Sequence, residues 1–332
     1  MKRLNPFFLF ALLCLSLALY GCQGGSETSS NSQDSAQEEK PAPRGTIGVS
    51  LLTFDNPFFK VIADNMKAEA EKYGYEVIAL SANDDAATQN NQINDLIVQD
   101  VSVIVVSPVK SAAIVPAIQA ANEANIPVIT VDTPCNKEGV EILTQVATDN
   151  FEGGEKAAEA MIEALGPDGG KIIVLNKEGS ESCELRENGF RKVIDEHNKT
   201  AESKIEIVNT LESNGDKAVG LKATEDALQS NPDLAGIFAI NDPAALGARA
   251  ALEKAQLGDE VIIIGFDGQP EGKQAIKEGK IYADPIQYPD KMGIKVIESI
   301  VAHFKGEELP PTQYISTSLY RQEDALNDPE LK

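Results

Sequence analysis

The stretch that decides the fold begins with Ile47-Gly48-Val49-Ser50-Leu51-Leu52. After two intervening residues it continues with Asp55-Asn56-Pro57-Phe58-Phe59. The first run is typical of a buried strand. Residues 63–72 have the apolar spacing of an amphipathic helix. A strand, a short turn and a helix form the first half of a βαβ unit. Open α/β sheets bind ligands at the carboxyl ends of their strands, so the turn at 55–59 is the first candidate binding site.

The turn itself combines an amide with two aromatic rings. The Asn56 amide both donates and accepts hydrogen bonds, and Pro57 suits the first position of a helix. Neighbouring helical side chains point about 100° apart, so Phe58 and Phe59 face different directions. Two interpretations stay open. Both rings anchor the helix in the core, or they offer an aromatic face to a sugar ring whose rim is polar.

Strands and helices alternate after Thr46. Uninterrupted Val and Ile runs are typical of parallel strands that helices cover on both faces, and such strands need right-handed crossovers. The predicted strands cover residues 47–52, 75–80, 102–107, 126–132, 171–175, 204–210, 235–240, 261–267, 281–287 and 314–319. The predicted helices cover residues 63–72, 87–99, 112–125, 154–165, 182–197, 215–230, 243–255 and 290–305.

The chain contains an internal repeat at the scale of a domain. One predicted strand ends at Ser107 and the next ends 25 residues later at Asp132. In the second half, the corresponding strands end at Asn241 and, 26 residues later, at Asp267. This repeat predicts an α/β protein with two similar doubly wound parallel-sheet domains whose strand ends share a cleft. The helix at 290–305 fits either domain, so we expect several crossings and a multi-stranded hinge.

Composition excludes several classes of function. The net charge of −23 argues against binding to nucleic acid or to anionic membrane surfaces, and it favours a neutral ligand. The two histidines, His197 and His303, lack metal-ligand spacing, so no metal site is expected. Gly153-Gly154 lacks the spacing of a dinucleotide-binding loop, so we expect no cofactor. No arrangement of Ser, His and Asp or of Cys and His indicates a nucleophilic enzyme.

The N-terminus has the features of a lipoprotein signal peptide. Residues 7–20 form an apolar segment too short to span a bilayer. Leu19-Tyr20-Gly21-Cys22 is similar to a bacterial lipobox, which predicts a signal peptide at 1–21 and lipidation of Cys22. Polar residues dominate the stretch that follows, so 22–44 is predicted to be a lipidated disordered tether.

The aspartates that end corresponding strands, Asp132 and Asp267, have three interpretations. They form a catalytic carboxylate pair as in glycoside hydrolysis, they accept hydrogen bonds from ligand hydroxyls, or each caps a helix. Equivalent positions in two repeats favour a symmetric ligand grip. Arg186 on the helix 182–197 is either a solvated residue or a forked donor to ligand oxygens.

Several motifs together resemble the ribose-binding-protein family, the type I periplasmic binding proteins that serve sugar ABC transporters. They are Asn56-Pro57-Phe58-Phe59, residues 122–132, Asp149-Asn150 with Gly153-Gly154, Asn241-Asp242 and Gly265-Phe266-Asp267-Gly268. The resemblance implies domains at 45–147 plus 288–316 and at 148–287 plus 317–332, joined by a three-strand hinge. It implies that these residues bind the ligand: Asn56, Phe58, Phe59, Ser107, Asp132, Thr133, Arg186, Asn241, Asp267 and Gln287.

Three positions depart from the family's ribose binders. Ser107 stands where they have Asn, Thr133 where they have Arg, and Asn214-Gly215 near an aromatic residue of theirs. The sugar is therefore left open among ribose, fructose and other pentoses or hexoses. Cys135 and Cys183 are expected near opposing lips of the cleft. An oxidising compartment allows them to pair as a disulfide, and the sequence leaves that pairing open.

These features predict a substrate-binding lipoprotein in the periplasm or cell envelope. It captures a neutral monosaccharide, closes around it and delivers it to an ABC permease, without cofactor or chemistry. A sensory module for a membrane receptor would use the same cleft. A glycosidase using Asp132 and Asp267 is a second alternative. The lipobox and the absence of an N-terminal helix-turn-helix weigh against a third, a ligand-sensing transcription regulator.

Overall fold

The computed structural model describes residues 42–331. The predicted signal peptide, the predicted lipidation site Cys22 and the tether up to residue 41 lie outside the described residues. The strands are β1 (Gly45–Leu51), β2 (Tyr75–Ser81), β3 (Val103–Val106), β4 (Val128–Val131), β5 (Thr144–Thr148), β6 (Gly170–Asn176), β7 (Ile205–Glu212), β8 (Leu234–Ala239), β9 (Ile262–Ile264), β10 (Ala283–Ile286), β11 (Thr312–Ile315) and β12 (Ser318–Arg321).

The helices are α1 (Pro57–Glu71), α2 (Ala86–Val98), α3 (Val115–Glu123), α4 (Asn150–Leu165), α5 (Glu181–His197), α6 (Lys217–Ser230), α7 (Asp242–Ala255), α8 (Pro270–Lys277), α9 (Pro289–Phe304) and α10 (Gln322–Asn327). Short 3-10 turns follow α4 and α10.

The strands form two six-stranded sheets. One has the order β2-β1-β3-β4-β5-β11 and the other β7-β6-β8-β9-β10-β12. All pairings in the first sheet are parallel, and in the second only the edge strand β12 runs antiparallel to its neighbour. The predicted fold class, two doubly wound parallel-sheet domains, is confirmed. We call the first sheet with α1, α2, α3 and α9 the first lobe. The second sheet with α4 to α8 and α10 is the second lobe.

Each sheet has an apolar core on both faces. In the first lobe, one cluster joins β1, β3 and β4 to α1 and α9, and another joins β3 to α2 and α3. In the second lobe, the corresponding clusters involve α6, α7 and α8 on one face and α4 and α5 on the other. Because most of these strands are buried on both faces, their sequences contain nearly continuous runs of Val and Ile.

The chain passes between the two sheets three times. The first crossover lies between β5 and α4, the second between β10 and α9, and the third between β11 and β12. The single short strand predicted at 314–319 is wrong. It is two strands in different sheets, and Ser316-Thr317 between them form the third crossover.

Strand β5 was not predicted, because its sequence Thr-Gln-Val-Ala-Thr has little apolar character. All five residues are buried, and tertiary hydrogen bonds satisfy the side chains of Thr144 and Gln145. Gln145 Oε1 accepts from Thr130 Oγ1 at 3.1 Å and from the Cys135 N–H at 2.8 Å. Thr144 Oγ1 donates to the Pro310 carbonyl at 2.7 Å. The surrounding fold therefore overrides the local pattern.

Helices α4 and α5 pack unusually closely through glycines. A methyl group on Gly154 would overlap the carbonyl oxygen of Arg186, and one on Gly189 would overlap that of Phe151. Gly154 thus serves backbone-to-backbone helix packing, and Gly153 makes room for the Phe266 ring. This contact fixes where α5 lies above the second sheet.

We expect Gly154→Ala to lower the free energy of unfolding by about 3 kcal/mol or more, because backbone atoms cannot make room for the methyl group. Urea denaturation followed by circular dichroism measures the change. Gly306→Ala is the control. Gly306 has φ +81° but open space around it, so that substitution should cost only about 1–2 kcal/mol. Equal losses for the two variants would contradict the close packing of α4 on α5.

Candidate functional site

A cleft lies where the carboxyl ends of the two sheets meet. It encloses a cavity of about 60 Å³. Its lining comes from both lobes: Leu52, Thr53, Asn56, Phe58, Phe59, Asp84, Asp132, Thr133, Lys177, Ser180, Ser182, Cys183, Arg186, Asn214, Gly215, Asn241, Asp267 and Gln287. Of the ten residues expected to bind the ligand, nine line this cleft and Ser107 does not.

Ser107 lies behind the cleft wall. It is fully buried, its N–H donates to the Ser50 carbonyl, and its carbonyl accepts from Gln89 Nε2 at 2.9 Å. Its hydroxyl has no hydrogen-bond partner among the described residues. The end of β3 therefore contributes packing to the cleft wall in this arrangement.

The turn at the start of α1 presents both aromatic rings to the cleft. Asn56 caps the helix, since its Oδ1 accepts from the Phe58 N–H at 3.0 Å. Its Nδ2 makes no hydrogen bond within residues 42–331. Phe58 and Phe59 meet edge to face with centroids 5.3 Å apart, and both also belong to the first-lobe core. The core and cleft interpretations of these rings are therefore compatible.

Asp132 leaves a buried oxygen without a donor. It follows β4 in a left-handed backbone conformation with φ +64°. Its Oδ2 accepts from Thr133 Oγ1 at 3.1 Å, whereas its Oδ1 has no partner among the described residues. Burial raises the pKa of Asp132 to about 6, while the charge of Arg186 lowers it and that of Asp267 raises it. The carboxylate is thus costly to keep ionised without a ligand.

Arg186 and Asp267 form an ion pair at the floor of the cleft. Both are almost fully buried, with exposures of 3% and 5%. Arg186 Nη1 donates to Asp267 Oδ1 at 3.1 Å and to the Ile240 carbonyl at 2.6 Å. Its guanidinium lies 3.8 Å above the centre of the Phe266 ring. The forked donor is therefore held rigidly, and its Nη2 makes no hydrogen bond within the described part of the chain.

Amides surround Asp267. Its Oδ1 accepts from Gln287 Nε2 at 2.6 Å and its Oδ2 accepts from Gln269 Nε2 at 3.2 Å. Burial raises the pKa of Asp267, while Arg186 and these amides lower it. Gln287 Oε1 is buried and has no partner among the described residues.

Asn241 is the helix cap at this end of the second sheet. Its Oδ1 accepts from the Ala244 N–H at 3.0 Å and its Nδ2 donates to the Gly215 carbonyl at 3.0 Å. The helix-cap interpretation of Asp132 and Asp267 is wrong, because Gln269 precedes α8 and no helix begins directly after Asp132.

Two further buried carboxyls lie behind Asp267. Asp242 begins α7 and Asp284 lies on β10, and both are fully enclosed. Burial and the neighbouring carboxyl raise the pKa of Asp242 well above its usual range, and burial raises that of Asp284 to about 6. Neither carboxyl oxygen of Asp284 has a hydrogen-bond partner among the described residues.

Polar contacts join the two lobes around the cleft. Lys177 Nζ contacts Asp84 Oδ1 at 2.6 Å. The Glu181 carboxylate accepts from Asn136 Nδ2 at 2.6 Å and from its backbone N–H at 3.1 Å. We call Lys177–Asp84 and Glu181–Asn136 the lobe-bridging pairs, and together they show a closed arrangement of the lobes.

The sequence reasoning missed these residues because each is an ordinary charged or polar residue in a loop or first helical turn. Only the fold brings them face to face. Thr133 Oγ1 also lies 3.2 Å from Ser182 Oγ of the opposite lobe. Position after a strand end, as for Lys177 after β6, is the one available signal.

Cys135 and Cys183 are separate, buried free thiols in this structure, so the disulfide left open from the sequence is not formed. Cys135 Sγ donates to the Ser111 carbonyl at 3.2 Å, whereas Cys183 Sγ lies 4.0 Å from Ser182 Oγ. Burial raises the pKa of both thiols.

Residues 42–331 contain neither a metal-binding cluster nor a membrane-spanning helix. No cluster of His, Cys, Asp and Glu in this range has the grouping of a metal site. None of the helices described here is both long and apolar enough to cross a bilayer.

Comparisons with known proteins agree with this architecture. The sequence profile of the family described as "Periplasmic binding protein domain" matches residues 47–308. The ribose import binding protein of Escherichia coli (strain K12) is 33% identical over 267 residues, covering 80% of this chain and 87% of that protein. The D-apiose import binding protein of Actinobacillus succinogenes is 33% identical over 238 residues, covering 72% and 74%.

A solved structure gives the same result. The ABC transporter solute-binding protein of Agrobacterium vitis with bound α-D-tagatopyranose has a TM-score of 0.80 and 26% identity. The match covers 87% of this chain and 98% of that one. The curated relatives are import binding proteins rather than enzymes, so the glycosidase interpretation of Asp132 and Asp267 is set aside.

We expect Asp132→Asn to make the stability of the ligand-free protein less dependent on pH. With a folded-state pKa of about 6 against the usual 3.8, Asp132 binds more protons in the folded state than in the unfolded state between these values. Its contribution is fully present below pH 4 and is lost as pH rises through 6. Urea denaturation at pH 4.5 and 7 should show a difference on the order of 2 kcal/mol that the variant lacks.

Asp85→Asn is the control for this experiment. The helix-capping hydrogen bond from Thr88 lowers the pKa of Asp85, so its contribution is lost only as pH falls below 4. That variant should keep the slope of the unmodified protein between pH 4.5 and 7. An unchanged slope in Asp132→Asn would show that Asp132 is ionised throughout this range.

Proposed function

The chain belongs to the periplasmic binding protein family, and from this premise we propose that it is the binding protein of a sugar ABC importer. Its ligand is a neutral monosaccharide, a pentose or hexose such as ribose or fructose. The ligand occupies the cleft between the lobes and is delivered to a membrane permease. The protein performs no chemistry on it.

The observation that carries this proposal is a set of polar atoms without partners beside two aromatic rings. Asp132 Oδ1 and Gln287 Oε1 are buried acceptors that nothing in the described residues satisfies. Arg186 Nη2 and Asn56 Nδ2 belong to cleft-lining residues and are donors without a partner among residues 42–331. Sugar hydroxyls donate and accept, so one ring can satisfy both kinds of atom. The apolar faces of the same ring match Phe58 and Phe59.

Charge at the cleft favours a neutral ligand. Three carboxylates, Asp84, Asp132 and Asp267, line it together with two cations, Lys177 and Arg186. Both cations already contact carboxylates at 2.6 and 3.1 Å. An acidic sugar would therefore meet no free positive charge and would be repelled at Asp132.

Capture is proposed to proceed by closure about the three crossovers. In the open form the lobes separate and the ligand enters; in the closed form the lobe-bridging pairs stabilise the arrangement that encloses it. We draw the domain limits at 45–147 plus 288–316 and at 148–287 plus 317–332. The crossovers between the two sheets lie close to these limits.

Small residues at the cleft wall support a size class for the sugar. Thr133 is short and reaches Ser182, and Asn214-Gly215 places no aromatic ring at the opposite wall. Relatives are named for ribose and D-apiose import, and a structural neighbour holds α-D-tagatopyranose. We therefore propose a ligand of this size class.

The N-terminal prediction completes the proposal. Cys22 carries the lipid after removal of residues 1–21, and the polar stretch to residue 44 tethers the lobes to the membrane. The family acts in the periplasm, and the anchor would hold this member close to its permease.

Calorimetry and thermal unfolding with D-ribose, D-apiose, D-allose, D-fructose and D-tagatose test the ligand class on the protein lacking residues 1–21. At 100 times its Kd, the best sugar should raise the free energy of unfolding by about 2.7 kcal/mol. D-gluconate, an anionic control, should have no effect. If none of the neutral sugars binds, the proposed function is wrong.

The same sugar then tests the site. Asp132→Asn should abolish measurable binding, because it removes the strongest free acceptor of the cleft. Ser107→Ala should leave the Kd within about twofold, because the Ser107 hydroxyl lies behind the wall. Reversed results for these two variants would place the sugar elsewhere.

Glu181→Ala tests closure. It removes two hydrogen bonds to Asn136 of the opposite lobe, so we expect the Kd to rise about tenfold while the cleft lining stays intact. Glu184→Ala is the matched control, because Glu184 lies on the same helix and accepts from Gly179 of its own lobe. Similar effects of both variants on the Kd would refute a role for the lobe-bridging pairs in closure.

A further inference from the structure

Arg186 depends on a residue that does not line the cleft. Its Nε donates to Asn150 Oδ1 at 2.8 Å, in addition to the bonds of Nη1 to Asp267 and Ile240. With Nε and Nη1 engaged inside the protein, Nη2 is left to face the ligand. The direction of that donor is therefore set partly by Asn150.

Asn150 lies at the first crossover. It is the first residue of α4, it is 1% exposed, and only Asp149 separates it from the end of β5. Its Nδ2 donates to the carbonyl of Thr148 at 3.1 Å. Thr148 belongs to the first sheet, where it pairs with Ile315 of β11. One amide thus contacts the first lobe with its nitrogen and Arg186 of the second lobe with its oxygen.

The chemistry of this position requires an amide. Arg186 Nε needs an acceptor and the Thr148 carbonyl needs a donor, and Asn supplies both from two separate atoms. Asp would accept without donating, and Ala would do neither. Both polar atoms of Asn150 are engaged within the protein, and Asn150 does not line the cleft, so its contribution to ligand binding is indirect.

Close helix packing makes the link stiff. Gly154, one turn after Asn150, touches the Arg186 carbonyl, so α4 and α5 cannot slide relative to each other. Rotation at residues 148–150 during opening would therefore move the Thr148 carbonyl relative to the α4–α5 unit and lengthen one of the two hydrogen bonds of Asn150.

The second crossover contacts the same ion pair directly, and the third is linked to it through the second. Gln287 lies in the second crossover, and its Nε2 donates to Asp267 Oδ1 at 2.6 Å. Thr317, in the third, donates its hydroxyl to the Ile286 carbonyl at 2.8 Å. The Arg186–Asp267 pair is thus contacted directly from the first and second crossovers and is linked through the second to the third.

We propose that Asn150 is a positioning residue that ties the Arg186 guanidinium to the first crossover, so that Arg186 presents its free donor to the ligand only when the lobes are closed. This inference rests on the proposed sugar-binding function. Through Asn150, ligand binding at Arg186 and the closed conformation of the hinge stabilise each other.

A double-mutant cycle tests the proposal, with the tightest-binding sugar of the panel as the probe and calorimetry as the measurement. Asn150→Ala should raise the Kd roughly 10- to 100-fold, because a hydrogen bond to a charged group is lost. In an Arg186→Lys background, which keeps the positive charge but lacks Nε, the same substitution should change the Kd by less than about threefold. Additive losses would show that Asn150 does not act through Arg186.

Asn198→Ala is the matched control. Asn198 caps the far end of α5 and makes two side-chain hydrogen bonds with Ile205. Its loss should lower stability while leaving the Kd within about twofold. A rise in Kd equal to that of Asn150→Ala would reduce the role of Asn150 to general stability, and would overturn the proposal.

Small-angle scattering tests the link to the hinge. With saturating sugar, Asn150→Ala should keep a larger radius of gyration than the unmodified protein, whereas an identical radius would refute the coupling. If Asn150→Ala does not fold, Asn150→Leu, which is similar in volume and removes both polar atoms, takes its place in both measurements. Sugar binding by the unmodified protein together with an additive cycle would leave the proposed function standing and remove only this inference.

Discussion

One buried cation facing two buried carboxylates is the constraint on which the site depends. Arg186 contacts Asp267 directly, and its charge also lowers the pKa of Asp132 across the cleft. Removing three charges from water costs more than one ion pair returns. The arrangement therefore persists only because amides, a carbonyl and an aromatic face complete the shell of Arg186 and Asp267. The shell of Asp132 remains incomplete.

The closeness of α4 and α5 serves the same constraint. A guanidinium can meet a carboxylate, a carbonyl and an amide at once only if their backbones are fixed. Glycine at 154 and 189 lets the two helix backbones touch, and Phe266 stacks on Arg186 where Gly153 leaves room for its ring. The close packing of α4 on α5 therefore also fixes the position of Arg186 in the cleft.

Sequence patterns predicted what depends on local chemistry and repetition. Apolar runs located most strands, and corresponding strand ends located Asp132 and Asp267. The features that these patterns did not predict depend on contacts with residues distant in the sequence. Strand β5 is polar and is stabilised by bonds to distant residues, and Lys177 and Glu181 gain a role only because the opposite lobe faces them. Ser107 has the right position along its strand, yet its hydroxyl is covered by the wall.

The two aspartates show how an approximate repeat becomes an asymmetric site. Both have left-handed backbones, with φ +64° at Asp132 and +101° at Asp267, a conformation that costs on the order of 1–3 kcal/mol for each residue. Hydrogen bonds from Arg186, Gln269 and Gln287 offset this cost at Asp267. Within the described residues, the Asp132 carboxylate has a side-chain hydrogen bond from Thr133 alone. The second lobe is therefore organised before the ligand arrives. We propose that the ligand completes the first lobe, because a donated hydroxyl would satisfy the buried Asp132 Oδ1, which has no partner among the described residues.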